Sequence, residues 1–168
     1  FLDLKKAFDT MDRSRVLELL QGYGVGTKML TLIRTFWESA EMVCKAKGNY
    51  GDPFRAGRGV TQGGPLSPTL FNLLVNAVTR EWLVQVLGDE ANTEWGRQTR
   101  RVLCAIFYVD DAILASRDPV FLQGALDILV DLFDRVGLRI NTKKTKAVTF
   151  VPGKVRTPCP LPLTLAAE

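Results

Sequence analysis

Hydrophobic and polar positions change period several times along the chain, and each change predicts an element. Phe1 to Leu4 is a short apolar run interrupted by one acid, Asp3, and reads as a buried strand. Val16, Leu17, Leu19 and Leu20 recur at helical spacing behind Asp9 and Asp12, which can cap, and the pattern stops at Gly22 and Gly24. Met29, Leu30, Leu32, Ile33 and Phe36 cover one face of a second helix, from about Thr27 to Trp37. Met42-Val43-Cys44 and Phe54-Arg55-Ala56, either side of Lys47-Gly48-Asn49-Tyr50-Gly51, predict a β-hairpin. Ser67-Pro68 is a helix opening, a hydroxyl N-cap followed by a proline whose missing N–H costs nothing there. That helix runs to about Leu87. Leu70, Phe71, Leu74, Val75 and Val78 face a core, and Asn72, Asn76 and Arg80 form a polar stripe.

Residues 88–100 are polar and aperiodic, as in a loop. Val102 to Phe107 and Ala112 to Ala115 are unbroken apolar runs too short for helices, so they read as two buried strands of a hairpin. Asp118-Pro119 opens another helix, with Phe121, Leu122, Ala125, Leu126, Leu129, Leu132 and Phe133 at helical spacing as far as Gly137. Leu138 to Ile140 and Ala147 to Val151 predict two more strands around a basic turn. Residues 152–168 are proline-rich and are expected to be extended or disordered. Hairpins, together with helices that cannot all be crossovers, predict an α+β domain over residues 1–151, its mostly antiparallel sheet covered by helices on one face.

Composition narrows the chemistry. At 168 residues and 46% hydrophobic, the chain has material for one core. No apolar run is long enough to span a bilayer, so no membrane partner is expected. Cys44, Cys104 and Cys159 lie far apart, which suggests neither a disulfide framework nor a zinc site and fits a reducing intracellular setting. With no histidine, His-dependent hydrolase triads and His-ligated metals are excluded. The formal charge is +4, and from Arg135 to Ala167 there is no acid at all. Such a stretch is either a solvated basic face or a phosphate-facing one.

Acids stand out by their surroundings at two places in the chain. Asp110 and Asp111 sit where two buried strands meet, and adjacent ionised carboxylates there need cations or donors. An acidic turn is also ordinary, because Asp hydrogen-bonds its own backbone in turns. Asp3, however, is a second acid embedded in an apolar strand, and neighbouring central strands would bring it beside Asp110. Carboxylates converging from two strands suit hard divalent cations. Two such ions roughly 3.5–4 Å apart can clamp an in-line phosphoryl displacement without histidine.

Four stretches then fall into a known order. Phe1-Leu2-Asp3-Leu4-Lys5-Lys6-Ala7-Phe8-Asp9, Gly59-Val60-Thr61-Gln62-Gly63-Gly64-Pro65-Leu66-Ser67-Pro68-Thr69-Leu70-Phe71-Asn72, Phe107-Tyr108-Val109-Asp110-Asp111 and Gly137-Leu138-Arg139-Ile140-Asn141-Thr142-Lys143-Lys144-Thr145-Lys146 resemble motifs A to D of reverse transcriptases. They look most like those of non-LTR retrotransposon and group II intron enzymes. The resemblance implies a polymerase palm that adds dNTPs to a primer 3′ end on an RNA or DNA template. It implies Asp3 and Asp110 as ligands of two Mg2+ ions, with Mn2+ able to replace them, Asp111 adjacent, and the Leu4 carbonyl as a further oxygen. Phe8 matches the ring that excludes a 2′-hydroxyl, and Lys6 and Ala7 match the amides that hold the triphosphate. Gln62 and Gly63 match the pair near the nucleotide and template base. Lys144 matches the lysine proposed to protonate pyrophosphate.

Val109 occupies a position that varies in the family. No fingers segment precedes the first motif and no thumb is recognisable after Val151, so the expectation is a region of a longer protein, inactive by itself. Fingers and thumb would be partners from that parent, and a retroelement origin would imply a nuclear or nucleoprotein setting. Two other readings stand beside this one. Another palm polymerase, such as an RNA-dependent RNA polymerase, would need a small or polar residue where Phe8 is. A non-catalytic relic or domesticated fragment would keep the fold without the chemistry.

Overall fold

A computed structural model describes residues 1–61, 63–88, 103–151 and 154–158. It is a mixed helix and strand structure whose main sheet is antiparallel. The chain divides into two compact units, one of Phe1–Lys5 with Val75–Glu168 and the other of Lys6–Leu74.

The first unit is built on three strands, β1 (Leu2–Asp3), β4 (Leu103–Tyr108) and β5 (Asp111–Ser116), in the order β1-β5-β4. Burial alternates along β4 and β5, the period-two signature of a sheet with one covered face. Leu2 and Ala112 pair in register and are both buried. On the same side Phe107 meets the edge of the Trp82 ring, centroids 6.0 Å apart. Trp82, at the far end of helix α4 (Ser67–Leu87), donates its indole N–H to the Ala125 carbonyl at 2.6 Å, which satisfies its only polar atom inside the core. Ala125 belongs to α5 (Pro119–Arg135), which packs on β5 and buries Leu126, Leu129, Leu132 and Phe133. Its start is as expected: the Asp118 carboxylate accepts from the Val120 and Phe121 amides, and Pro119 follows.

Beyond α5, Leu138 to Ile140 does not form the strand expected of it. Only Leu4 and Ile140 bridge, antiparallel, through hydrogen bonds from the Lys5 amide to the Arg139 carbonyl and from the Asn141 amide to the Asp3 carbonyl, each 2.7 Å. A two-bond bridge is all the local geometry allows before the chain turns at 142–144. Strand β6 (Val148–Val151) pairs with β7 (Lys154–Pro158), which lies inside the stretch expected to be extended or disordered.

In the second unit the first element is one the periodicity did not signal, a single-turn helix α1 (Ala7–Thr10). Helices α2 (Arg13–Gly22) and α3 (Thr27–Ser39) follow, and Asp12 caps α2 by accepting from the Ser14 and Arg15 amides. The hairpin expected at 42–56 is present with its ladder shifted. Strands β2 (Lys45–Ala46) and β3 (Asn49–Tyr50) pair around Lys47-Gly48, both at positive φ, and only Met42 and Phe54 bridge further out. The turn demands left-handed backbone at two successive residues, and Lys47 and Gly48 supply it, the glycine without steric cost. Val16, Leu20, Ile33 and Trp37 are buried, as are Leu70, Phe71 and Leu74 in the first turns of α4. Asn72, Asn76 and Arg80 are exposed, as their stripe predicts. Among the described residues no helix is long and apolar enough to cross a membrane.

Candidate active site

Strand pairing fixes the acids first. Tyr108 pairs with Asp111, leaving a two-residue loop of Val109 and Asp110. Val109 takes φ 54 while Asp110 stays at negative φ, the pattern of a II′ hairpin turn, which normally wants glycine at its first position. A β-branched residue at positive φ is strained by about 1–2 kcal/mol, so the turn is held by its two strands rather than by local preference. The loop puts Asp110 at the bend and sends Asp111 back into β5.

Because β1 pairs with β5, Asp3 lies directly across from Asp111, and both lie on the less buried face with Tyr108. Ile106 and Ile113 continue that face and are 57% and 37% exposed. The register thus sets Asp111, rather than Asp110, opposite Asp3. Asp110 reaches β1 through its backbone, its carbonyl accepting from the Leu4 amide at 3.2 Å. Leu4 is buried, and the bridge to Ile140 uses its neighbours' polar groups rather than the Leu4 carbonyl.

The Asp3 carboxylate has two partners. Asn141 Nδ2 donates to Oδ2 at 2.9 Å, and Lys144 Nζ lies 3.5 Å from Oδ1. The Lys144 side chain is 69% exposed against 23% for Asp3, so this ion pair is screened and weak. Asn141 carried no functional reading in the sequence. Its signal was its place within the fourth motif, directly after Leu138-Arg139-Ile140. Thr145 Oγ1, one residue past Lys144, is buried without a hydrogen-bond partner among the described residues.

In donor type, Asp3, Asp110 and Asp111 fit a hard divalent cation such as Mg2+ or Mn2+, which takes carboxylate and carbonyl oxygens. Among the described residues, no three His, Cys, Asp or Glu side chains are gathered closely enough to hold a metal ion on their own. Water, phosphate or backbone oxygens would have to complete any coordination sphere.

The second unit holds the remaining sequence-predicted residues. Lys6 adopts a left-handed conformation, φ 50 and ψ 45, at the start of α1, and its carbonyl accepts from the Asp9 and Thr10 amides. Ala7 is buried. The Phe8 ring is half-buried and stacks on the fully buried Phe71, centroids 4.7 Å apart and 27° between planes.

The glycine loop runs against this helix. The Gly59 amide donates to Met11 and the Val60 amide to Phe8, whose carbonyl accepts at 2.7 Å. Gly59 is at φ +74, and a Cβ there would lie 2.5 Å from the Phe8 and Asp9 carbonyl oxygens. Only glycine fits. Arg13 clasps the loop from the other side, its guanidinium donating to the Gly59 and Ala56 carbonyls at 2.7 Å each and resting 5.6 Å from the Trp37 ring centroid. Burial lowers the Arg13 pKa from its ordinary value, and the guanidinium stays charged. Gly63 is exposed at φ +83, and Gln62 lies outside the described residues. Ser67, expected as an N-cap, already lies within α4, and its hydroxyl donates to the Thr61 carbonyl at 2.6 Å.

Comparison with known proteins adds an independent finding. The family model described as "Reverse transcriptase (RNA-dependent DNA polymerase)" matches residues 1–160. A Pol polyprotein from the type-2 retrotransposable element R2DM of Drosophila melanogaster is 29% identical over 94% of this chain, which covers 14% of that protein. The transposon TX1 149 kDa protein of Xenopus laevis is 32% identical over 88% of the chain and 11% of its own length. A Pol polyprotein from a type-1 element R2 of Nasonia vitripennis is 29% identical over 90% of the chain and 14% of its own length. The chain therefore spans about a seventh or less of these relatives.

Proposed function

Because the chain belongs to the reverse transcriptase family, we propose that it is the catalytic palm of a non-LTR retrotransposon polymerase, adding dNTPs to a primer 3′ end on an RNA or DNA template. The observation that carries the reading is the antiparallel pairing of β1 with β5, which sets Asp3 opposite Asp111 with Asp110 in the adjoining turn. The family uses divalent metal ions. Here two Mg2+ ions, replaceable by Mn2+, would be held by Asp3 and Asp110, with Asp111 and the Leu4 carbonyl as further oxygens. When bound, such ions activate the primer hydroxyl and neutralise the pyrophosphate that leaves.

The chain's own residues do the rest. Lys144, paired with Asp3 at 3.5 Å, brings positive charge to the carboxylates and can pass a proton from its ammonium to the departing pyrophosphate. Lys6 and Ala7 supply backbone amides to the triphosphate. Phe8 fills the volume a 2′-hydroxyl would need, its ring backed by Phe71. The motif match assigns Gln62 and Gly63 to the nucleotide and template base, and positive φ at Gly63 lets its backbone approach a ligand closely. Template, primer and dNTPs are the partners, and the grip on them comes from fingers and thumb elsewhere in the protein. That assignment is in keeping with a chain that spans 14% of the R2DM polyprotein.

The test is Asp110→Asn in the full-length protein. Primer extension should fall by on the order of 10³-fold, the scale of losing one charge-stabilising group, while the thermal unfolding midpoint stays within a few degrees. Extension within tenfold of the parent would end the proposal.

A further inference from the structure

We infer that Asn141 is a positioning residue for Asp3, fixing the orientation of its carboxylate from the neighbouring turn. The inference rests on the polymerase reading above and adds to it a residue outside the metal ligands. Asn141 grips Asp3 at two points. Its backbone N–H donates to the Asp3 carbonyl at 2.7 Å and its side-chain Nδ2 to Asp3 Oδ2 at 2.9 Å. Two bonds from one residue to another's backbone and side chain leave Asp3 little freedom about χ1 and χ2.

The same residue builds the turn that returns Lys144. The Asn141 carbonyl accepts from the Lys144 amide at 3.1 Å and the Thr145 amide at 2.9 Å. Those turn bonds use a carbonyl that any amino acid would supply. What the asparagine side chain adds, among the described contacts, is the bond to Asp3. A residue needed only for the turn would have no use for the amide donor.

The chemistry of an amide suits the task. A carboxylate that holds a cation must keep its charge and present one oxygen in a fixed direction. A neutral N–H donor on Oδ2 orients the group without supplying a competing charge, and leaves Oδ1 open to a cation or to Lys144. Donors of this kind behind a ligand are typically worth tenfold to a hundredfold in metal affinity or activity. Both Asn141 and Asp3 are partly buried, so water does not freely replace the bond.

The experiment uses the full-length protein and three readouts. Asn141→Ala should weaken binding of Mn2+ alone, followed by electron paramagnetic resonance, by about tenfold or more. It should lower kcat for primer extension by a similar factor while KM for dNTP moves by less than about twofold, because the nucleotide contacts are untouched. Circular dichroism should show unchanged secondary structure. Mn2+ affinity and kcat within twofold of the parent would overturn the inference.

Should Asn141→Ala fail to fold, the parent protein decides by NMR. The Asn141 side-chain amide protons should exchange more slowly than those of the exposed Asn72 and Asn76, and Asp3→Asn should shift their resonance. Exchange at the rate of an exposed amide would overturn the inference equally. A parent protein that folds but extends no primer removes the polymerase reading, whereas the amide measurement still reports on the Asn141–Asp3 bond, so the two failures are told apart.

Discussion

The two units hold their functional residues in physically different ways. Around Asp3 the constraint is backbone pairing. Asp3 is fixed by β5 on one side and by the bonds to Asn141 on the other, so its Cα position follows from strand register. Around Phe8 the constraint is contact at close range, a ring stacked on Phe71 and a glycine whose missing side chain lets two stretches of backbone touch. The comparison shows which kind of error each region tolerates. Hydrogen-bonded register resists changes of side chain, because its bonds are made by backbone atoms common to all residues. Close approach does not, since one added carbon occupies space already filled.

Gly59→Ala should therefore have the largest effect on stability. The new Cβ meets the Phe8 and Asp9 carbonyl oxygens at 2.5 Å and the backbone is at φ +74, so both clash and conformation oppose it. Destabilisation of at least about 2 kcal/mol is expected in denaturant titration. A loss under half of that would mean that the loop moves freely off the helix, and the contrast between the units would weaken.

Phe8→Ala is next, and it separates two roles of one ring. Losing a half-buried, stacked phenylalanine should cost about 1–3 kcal/mol. If the ring also excludes the 2′-hydroxyl, the full-length protein should incorporate ribonucleotides at least about tenfold more readily relative to deoxynucleotides, since removing a steric block of that size is worth on the order of 1–3 kcal/mol in discrimination. The stability loss without the change in sugar preference would make Phe8 a core residue only.

The smallest effect should come from Thr145→Val, on the register-fixed side. The Thr145 hydroxyl is buried with no partner among the described residues. The isosteric methyl removes that unsatisfied atom, so stability should stay level or rise by up to about 1 kcal/mol in the same titration. A clear loss would show that the hydroxyl has a water or ligand partner beside Lys144.

Much of the scaffold was legible because it rests on periodicity. The helices beginning near Thr27, Ser67 and Asp118, and the hairpin that ends in Asp110-Asp111, follow from spacing and caps that act within a few residues. Elements were missed or placed out of register where local signal is thin. Helix α1 is only four residues long, too short for an apolar period, and the hairpin at 45–50 is placed by a left-handed Lys47-Gly48 rather than by its apolar ends.

Residue identity alone marked the candidate chemistry: acids in apolar strands, no histidine, glycines clustered ahead of a proline-capped helix, a basic stretch near the end. Those are properties of side chains and near neighbours, and a sequence carries them in full. Which acid faces which was a different matter. That Asp111 rather than Asp110 sits across from Asp3, that Asn141 reaches back 138 residues to hold Asp3, and that Gly59 is pinned against Phe8 depend on strand register and loop contact. A one-residue change of register turns every side chain to the opposite face, and no local pattern in either strand records its partner. Only the folded chain, where β5 and the turn after Ile140 close on Asp3 from both sides, decides it.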